Sequence, residues 1–205
     1  EVVGISEVDK FALLAYDAIH SCINTTKYLD KSSESMLSEM REANIAYNFS
    51  TGASEIPRGY EAIKRLYEAH KRTKNYGDIR KIKEISLPEF DIFTYSFPCK
   101  NISVAGTQEG LSKGSGTQSS LLWECERIIE AKKPKYLLME NVKNLVGKAH
   151  ISELEDWISV LKAMGYSSKY KVLNACDFGL PQNRERVMMV SVLNGDCNDL
   201  PVGSK

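Results

Sequence analysis

Short apolar runs alternate with amphipathic helical patterns along most of this chain, and the alternation restricts the fold more than any other feature. Residues 187–193 are almost wholly apolar, and residues 136–139 form a second run of the same kind. Such runs, bounded by turns, are typical of strands that are buried on both faces of a sheet. The alternation therefore predicts an α/β fold with a doubly wound, mainly parallel sheet.

Five segments are predicted to be strands: residues 1–5, 91–96, 136–139, 169–174 and 187–193. Apolar residues spaced three and four apart predict helices at 11–19, 121–129 and 151–161. The second helix should end before Pro134 and the third at Gly165. Residues 24–75 are polar and favour helix, so they are predicted to be a helical insertion of two pieces, separated near residues 50–59.

Composition and charge exclude several classes of protein. Of the 205 residues, 42% are hydrophobic, and 27 basic residues balance 27 acidic ones, so contact with nucleic acid would need a local basic face. The sequence shows neither an apolar run of membrane-spanning length nor a secretory leader. Five cysteines without a CxxC pair favour a reducing cytoplasm over a disulfide framework. The three scattered histidines do not support a metal site.

Two carboxylates are expected at the edge of the sheet where an α/β fold binds its ligands, beyond the carboxyl ends of the strands. Glu7 follows the first predicted strand, and an acidic residue near such a position can bind the ribose hydroxyls of a nucleoside cofactor. Asp78 offers a second carboxylate at the same edge. Each has a simpler explanation, since Glu7 or Asp9 could cap the following helix and Asp78 could form an Asx turn.

A cysteine follows the predicted strand 91–96, in the sequence Phe97-Pro98-Cys99, and leads into a loop rich in Gly, Ser and Thr. This position suits an exposed nucleophile better than a packed thiol, and the adjacent Lys100 could help to activate it. The alternative is a buried, inert cysteine.

Polar side chains also stand at the ends of two other predicted strands. Glu140 and Asn141 follow the apolar run 136–139, where a partly desolvated carboxyl group could donate a proton near neutral pH or simply cap the next helix. Gln182, Arg184 and Arg186 alternate onto one face of an extended segment. They could bind a phosphate, a carboxylate or a base edge, or form a solvated basic edge.

Taken in order, these motifs resemble the cytosine-5 DNA methyltransferase family. The motifs are Phe97-Pro98-Cys99, Glu140-Asn141-Val142 and Gln182-x-Arg184-x-Arg186, and segments 91–93, 103–106, 133–135 and 177–182 are similar to that family too. The resemblance covers residues 1–195 and is weakest within 24–75. It implies the Rossmann-like fold of S-adenosylmethionine-dependent methyltransferases.

The resemblance implies an enzyme that methylates carbon 5 of a cytosine flipped out of duplex DNA, with S-adenosylmethionine as cofactor. Cys99 would attack carbon 6 and Glu140 would act on ring nitrogen 3. Arg186 would hold the cytosine oxygen and Arg184 would support the active-site loop that extends through Gly116. The cofactor would be bound by Glu7, Val8, Asp78, Ile79 and Pro98, and the cytosine by Phe97, Asn141, Gln182 and Arg186.

The sequence also departs from the family pattern. Lys100 stands where the family usually has glutamine, and a first cofactor-binding strand with its glycine-rich loop and a target-recognition domain are not found within residues 1–205. We therefore expect a partial catalytic domain, which flanking segments or a second chain would complete. The expected setting is the cytoplasm, in a bacterial or phage-encoded protein that acts on DNA.

Two alternatives stay open. A related transferase that acts on tRNA shares the cysteine and Glu-Asn-Val motifs. A catalytically silent, methyltransferase-like subunit or binding module would share the fold, although it would have no need of Cys99, Glu140 and Arg186.

Overall fold

The computed structural model describes residues 1–21, 31–48, 51–97 and 121–197. The chain divides into two compact units, Glu1–Ser86 and Leu87–Lys205. Pro98, Cys99 and the loop that extends through Gly116 lie outside the described residues.

The first unit consists of helices and a short hairpin. Its elements are α1 (Lys10–His20), α2 (Ser33–Glu42), β1 (Tyr47–Asn48), β2 (Ala53–Ser54) and α3 (Tyr60–Arg72). The two helical pieces expected within residues 24–75 are thus confirmed, and the hairpin separates them. Asp9 caps α1, because its carboxylate accepts hydrogen bonds from the N–H groups of Phe11 and Ala12.

An apolar core joins the three helices of the first unit. It contains Leu13, Met36, Met40, Ile45, Ala46, Ile63, Leu66, Tyr67 and Ala69. In α1, Leu13 is fully buried in this core and the partly buried Leu14 packs against it, whereas Phe11 and Ile19 are 69% and 74% exposed. The spacing of apolar residues correctly predicted the helix, but spacing does not decide which of two adjacent apolar faces packs.

The prediction of a strand at residues 1–5 is wrong, because the structure, which describes these residues, shows no strand there. Only Ile5 forms a β-bridge, with Asn75. The Ile5 N–H donates to the carbonyl of Lys74, and the Ile5 carbonyl accepts from the N–H of Tyr76. A strand needs a neighbour that pairs with its successive backbone groups, and an apolar run alone does not provide that neighbour.

The second unit contains a four-stranded sheet in the order β3, β4, β6, β5. The strands are β3 (Ile92–Tyr95), β4 (Tyr136–Val142), β5 (Tyr166–Asn174) and β6 (Glu185–Leu193). The α/β class is confirmed. The described sheet is mixed, since β3 and β4 are parallel while β6 runs antiparallel to both of its neighbours. The connection from β5 to β6, residues 175–184, is shorter than the dozen or so residues that a parallel crossover needs.

Two helices, α4 (Leu122–Lys132) and α5 (Ile151–Ala163), contribute to the core of the second unit. Alternate residues of the two central strands are buried, namely Leu137, Met139, Val187 and Met189. From α5, Trp157 is fully buried and donates a hydrogen bond from Nε1 to the hydroxyl of Tyr95 at 3.0 Å. The expected helix ends are confirmed: α4 stops at Lys132, and Gly165 follows the end of α5 with φ of 95°.

No helix within residues 1–21, 31–48, 51–97 and 121–197 combines the length and apolarity needed to cross a lipid bilayer.

The buried His70 of α3 should make the stability of the first unit depend on pH. Burial lowers the pKa of His70 from its ordinary value of 6.5 to about 4, and His70 Nδ1 has no hydrogen-bond partner among the described residues. The unfolded chain therefore binds a proton more readily than the folded one. Stability should be complete above pH 6.5 and should fall as pH drops towards 4, by a total on the order of 3 kcal/mol.

Urea denaturation followed by circular dichroism between pH 4 and 7 measures this dependence. His70→Gln should flatten the dependence, whereas His20→Gln, at an exposed position of α1, should leave it as in the original protein. An unchanged slope in His70→Gln would show that other groups cause the acid sensitivity.

Candidate active site

The carboxylate of Glu140, on β4, lies among donors from two other segments of the second unit. Glu140 Oε1 is 2.9 Å from Arg186 Nε and 3.8 Å from Arg184 Nη2. Glu140 Oε2 accepts a hydrogen bond from Ser96 Oγ at 3.3 Å. One carboxylate thus joins the end of β3, the end of β4 and the start of β6.

The register of the sheet explains this grouping. Tyr95 pairs with Met139, so Ser96 follows beside Glu140. Glu140 pairs with Met188 and Val142 with Arg186 across the antiparallel pair, which places Arg186 diagonally from Glu140 on the same face. Because side chains alternate along a strand, this face is opposite to the one that buries Met139.

A shallow pocket opens beside this cluster. It is lined by Val142, Lys143, Asn144, Gln182, Asn183, Arg184, Glu185 and Arg186. Lys143 and Glu185 form an ion pair at 2.9 Å within it. The structure therefore brings Gln182, Arg184 and Arg186 to one surface, although the sequence left open whether that surface is a binding site or a solvated edge.

The arrangement has definite chemical possibilities. A guanidinium group presents several N–H donors in one plane, and a carboxyl group beside it can accept or, when protonated, donate a hydrogen bond. The Glu140 and Arg186 side chains are only partly buried, so their mutual bond can be exchanged for bonds to a bound molecule. A planar ring that has a carbonyl oxygen next to a ring nitrogen matches this pair of groups.

Asn141 and Phe97, which were predicted to bind the substrate, are buried in this structure. They are 2% and 4% exposed, because β4 continues through Val142 and turns Asn141 to the face opposite Glu140. Asn141 Nδ2 donates to the carbonyl of Phe97 at 3.2 Å, and Asn141 Oδ1 accepts from the N–H of Val142 at 2.8 Å. Asn141 is thus placed to fix the backbone just before Pro98 and Cys99.

The strand that leads towards Cys99 has a second attachment through Tyr95. Its hydroxyl accepts the hydrogen bond from Trp157, and burial raises the pKa of Tyr95 above its ordinary range. The Tyr95 ring also stacks on Phe93, with centroids 5.5 Å apart. Two buried hydrogen bonds, to Tyr95 and to Phe97, therefore hold the last described residues before Cys99.

Glu7 lies in the first unit, where its carboxylate closes a local turn. Glu7 Oε1 accepts from the N–H groups of Val8 and Asp9, at 2.8 and 2.7 Å. Oε2 accepts no hydrogen bond from the residues that the structure describes. The Val8 carbonyl accepts from the N–H of Ala46 at 2.8 Å. Glu7 thus uses one oxygen to close the turn before α1, and the other has no hydrogen bond among the described residues.

Asp78 is buried, and its carboxylate is occupied by protein donors. It accepts from the Arg80 guanidinium and backbone N–H, and from Asn44 Nδ2 at 2.8 Å. Burial acts to raise the pKa of Asp78, but these hydrogen bonds outweigh it and hold the pKa below its ordinary value. The bond to Arg80 N–H forms the Asx turn that the sequence left open, at the start of the short 3-10 helix Ile79–Lys81.

The sequence profile of C-5 cytosine-specific DNA methylases matches residues 49–203. The chain belongs to this family. Membership agrees with the order of the three motifs along the chain. The motif of Phe97 follows β3, that of Glu140 lies at the end of β4, and that of Arg186 lies at the start of β6.

Curated relatives extend the match over nearly the whole chain. Type II methyltransferase M2.ScrFI of Lactococcus lactis subsp. cremoris is 49% identical over 197 residues, covering 95% of this chain and 55% of the relative. The orphan methyltransferase M.SssI of Spiroplasma monobiae is 38% identical, covering 100% of this chain and 56% of the relative. Among solved structures, the Entamoeba histolytica methyltransferase EhMeth has a TM-score of 0.48 at 18% identity, covering 83% of this chain and 54% of that chain.

This member of the C-5 cytosine-specific DNA methylase family spans about half the length of these two curated relatives.

Several polar residues around the candidate sites were not found from the sequence. Ser96 was missed, although its place in parallel register with Glu140 could have indicated it once β3 and β4 were paired. Three further side chains were missed. Asn44 and Asn75 bond to Asp78 and Glu7, which are distant in sequence, and Arg80 bonds to Asp78, two residues before it. The pattern of apolar residues contains no signal for such bonds.

Asn141 should contribute measurably to the stability of the second unit. In Asn141→Ala the Phe97 carbonyl loses its donor, and a buried polar group without a partner costs about 1–3 kcal/mol. Trp123 and Trp157 both lie in this unit, so urea denaturation followed by tryptophan fluorescence measures the change. The exposed Asn183 provides a matched control, whose alanine variant should change stability by less than about 0.5 kcal/mol. Equal stability of the two variants would contradict the assigned role.

Proposed function

We propose that this protein transfers a methyl group from S-adenosylmethionine to carbon 5 of a cytosine in duplex DNA, through a covalent bond between Cys99 and the base. The observation that carries the proposal is the position of Glu140 between Arg186, Arg184 and Ser96 in a C-5 cytosine-specific DNA methylase. The setting that we propose is the cytoplasm of a bacterium.

Cys99 supplies the nucleophile. Its thiolate forms a bond to carbon 6, and the electron pair of the 5,6 double bond moves towards carbon 5 and ring nitrogen 3. S-adenosylmethionine, when bound, would supply the methyl group to carbon 5 and would leave as S-adenosylhomocysteine. A base from the solvent then takes the proton on carbon 5, and the electron pair of that bond reforms the 5,6 double bond and expels the Cys99 thiolate.

Glu140 and Arg186 stabilise the charge that this addition creates. Cytosine has two neighbouring acceptors, ring nitrogen 3 and its carbonyl oxygen. Glu140, when protonated, and Arg186 lie side by side and would offer one donor to each of them. Glu140 would donate to nitrogen 3 and Arg186 to the oxygen. These bonds strengthen as negative charge develops on the ring, so they favour the transition state over the bound base.

The base must leave the duplex for this chemistry, because carbon 6 is inaccessible within the base stack. The pocket beside Glu140 is open, and Lys143, Gln182 and Arg184 line it. We propose that these residues contact the flipped nucleotide and its phosphates, and Arg184 also orders the loop after Cys99. Duplex DNA is thus favoured over tRNA by the family to which the chain belongs.

We propose that residues of the first unit bind the adenosine end of the cofactor. Glu7 Oε2 is available to the ribose hydroxyls, as carboxylates are in many nucleoside sites. Asp78 would accept the adenine amine, for which Arg80 would have to give up one of its bonds to the carboxylate. Val8 and Ile79 complete the contacts proposed for the first unit. Pro98, which lies outside the described residues, stays a separate proposed contact of the cofactor. A silent binding module would need this pocket but not Cys99 or Glu140.

Cys99 should form a covalent complex with a mechanism-based inhibitor. In duplex DNA that contains 5-fluorocytosine in place of cytosine, carbon 5 has no proton to lose, so the Cys99 bond cannot break. Full-length protein with S-adenosylmethionine should give a denaturation-resistant complex on a gel. Cys99→Ser should abolish the complex and Cys176→Ser, at an exposed cysteine, should not. Trapping of tRNA but not DNA would assign the RNA substrate, and trapping in Cys99→Ser would exclude Cys99 as the nucleophile.

Replacement of the Glu140 carboxyl should slow turnover without weakening cofactor binding. Glu140→Gln should lower kcat by about 100-fold or more, the range found for loss of a positioned proton donor. The dissociation constant of S-adenosylhomocysteine, measured by calorimetry, should stay within about twofold because the loss is confined to the transition state. Glu185→Gln removes a carboxylate that lines the pocket beside Glu140 and should leave kcat largely intact. A similar loss of kcat in both variants would point to pocket charge rather than to proton donation.

A further inference from the structure

Asn75 lies between the two segments that carry Glu7 and Asp78. Asn75 is 7% exposed, and both the oxygen and the nitrogen of its side-chain amide form hydrogen bonds. Asn75 Oδ1 accepts from the N–H groups of Glu7 and Gly77, each at 3.0 Å. Asn75 Nδ2 donates to the carbonyl of Glu7 at 2.9 Å. One amide group therefore satisfies three backbone groups on two segments that are 68 residues apart in sequence.

These bonds continue a backbone pairing that would otherwise stop. Ile5 pairs with the backbone of Lys74 and Tyr76, at 3.3 and 2.8 Å, as in a parallel strand pair. At Glu7 the next partner is the Asn75 side chain, whose carbonyl and NH₂ groups face the N–H and C=O of Glu7 as a peptide unit would. Ser6 Oγ adds a bond to the Gly77 carbonyl at 2.7 Å.

The segment of Asp78 is also confined on its other side. Gly77 has φ of 74°, and a Cβ built there would lie 2.1 Å from the carbonyl oxygen of Ala43. The N–H of Asp78 donates to the same carbonyl at 2.9 Å. With Ala43 on one side, the Asn75 amide sets how closely this segment approaches the segment of Glu7.

We propose that Asn75 is a positioning residue of the cofactor pocket: its amide replaces a backbone peptide between two segments and thereby fixes the spacing of the Glu7 and Asp78 carboxylates. The inference rests on the proposed function, in which those carboxylates bind the ribose and the adenine. A nucleoside that is held at both ends is sensitive to this spacing, because each carboxylate can bind only if the other is in place.

The test is cofactor affinity, measured separately from turnover in the full-length protein. In Asn75→Asp one carboxylate oxygen can still accept from Glu7 and Gly77, but the other replaces a donor and faces the Glu7 carbonyl. The dissociation constant of S-adenosylhomocysteine by calorimetry should rise by about tenfold, which corresponds to about 1.4 kcal/mol. At saturating S-adenosylmethionine, kcat should stay within about threefold.

Two further variants separate positioning from general destabilisation. Ser6→Ala removes a single hydrogen bond to the Gly77 carbonyl, where the Asn75 amide makes three bonds, and should raise the dissociation constant by less than Asn75→Asp does. Thr73→Val is the matched control. Thr73 is also buried at the end of α3, but among the described residues its hydroxyl bonds to the carbonyls of Ala69 and His70 in that helix, not to the segment of Glu7. Thr73→Val should lower the melting temperature without changing the dissociation constant.

The outcomes distinguish failure of this inference from failure of the proposed function. If Glu7→Ala and Asp78→Ala weaken binding but Asn75→Asp does not, Asn75 has no positioning role and the pocket stands. If Thr73→Val weakens binding as much as Asn75→Asp, the effect is destabilisation and the inference is overturned. If Glu7→Ala and Asp78→Ala both bind normally, the cofactor pocket itself has been assigned to the wrong residues. Should Asn75→Asp fold poorly, Asn75→Ser with the same measurements serves in its place.

Discussion

The antiparallel register between β4 and β6 is the constraint on which the geometry of the second unit depends. It pairs Val142 with Arg186 and Glu140 with Met188, and thereby turns Glu140 and Arg186 to the same face of the sheet. A slip of one residue would reverse every side chain of β6, so that Arg186 would enter the core and Val187 would leave it. The burial of Val187 and Met189 opposes that slip. The hydrophobic core of this unit and the position of its polar cluster are therefore fixed by the same register.

The same alternation gives two consecutive residues of β4 different tasks. Glu140 is half-buried and contacts Arg186 and Arg184 beside the open pocket, whereas Asn141 is buried and holds the carbonyl of Phe97. A buried amide that satisfies a backbone carbonyl is costly to replace, because any apolar substitute leaves that carbonyl unpaired. Of these two adjacent residues, Glu140 can exchange its hydrogen bonds for bonds to a bound molecule, whereas Asn141 cannot. This combination suits a site in which one side chain exchanges its hydrogen bonds during the reaction while the backbone that carries it stays in place.

Regular secondary structure was largely predictable from the sequence, because apolar periodicity reports burial on one face of a helix or strand. The helices at 11–19, 121–129 and 151–161 and four of the five strands follow from it. Burial does not report strand direction, so the reversal of β6 was not predictable from its apolar residues. Likewise, the sequence could group Glu140 with Arg186 but could not show that Asn141 points inwards, which depends on β4 extending to Val142. The hydrogen bonds of Asn75 could not be predicted for a further reason. A side chain that takes the place of a backbone peptide produces no periodic pattern of apolar residues in the sequence.

The segment around the end of α2 shows why a region that looks like an insertion is part of the structural framework of its unit. The N–H of Ala46 donates to Val8, the carbonyl of Ala43 accepts from Asp78, and the side chain of Asn44 donates to the Asp78 carboxylate. Asn44 and Ala46 both have positive φ, 54° and 56°, a conformation that costs a residue with a Cβ about 1–2 kcal/mol. Asn tolerates it better than most residues, but Ala does not, so the cost at Ala46 must be offset by what the conformation permits. It permits the chain to turn from α2 into β1 while presenting backbone groups to the segments of Glu7 and Asp78. Removal of this region would therefore expose the carboxylates of both segments to rearrangement, and it cannot be treated as a dispensable loop.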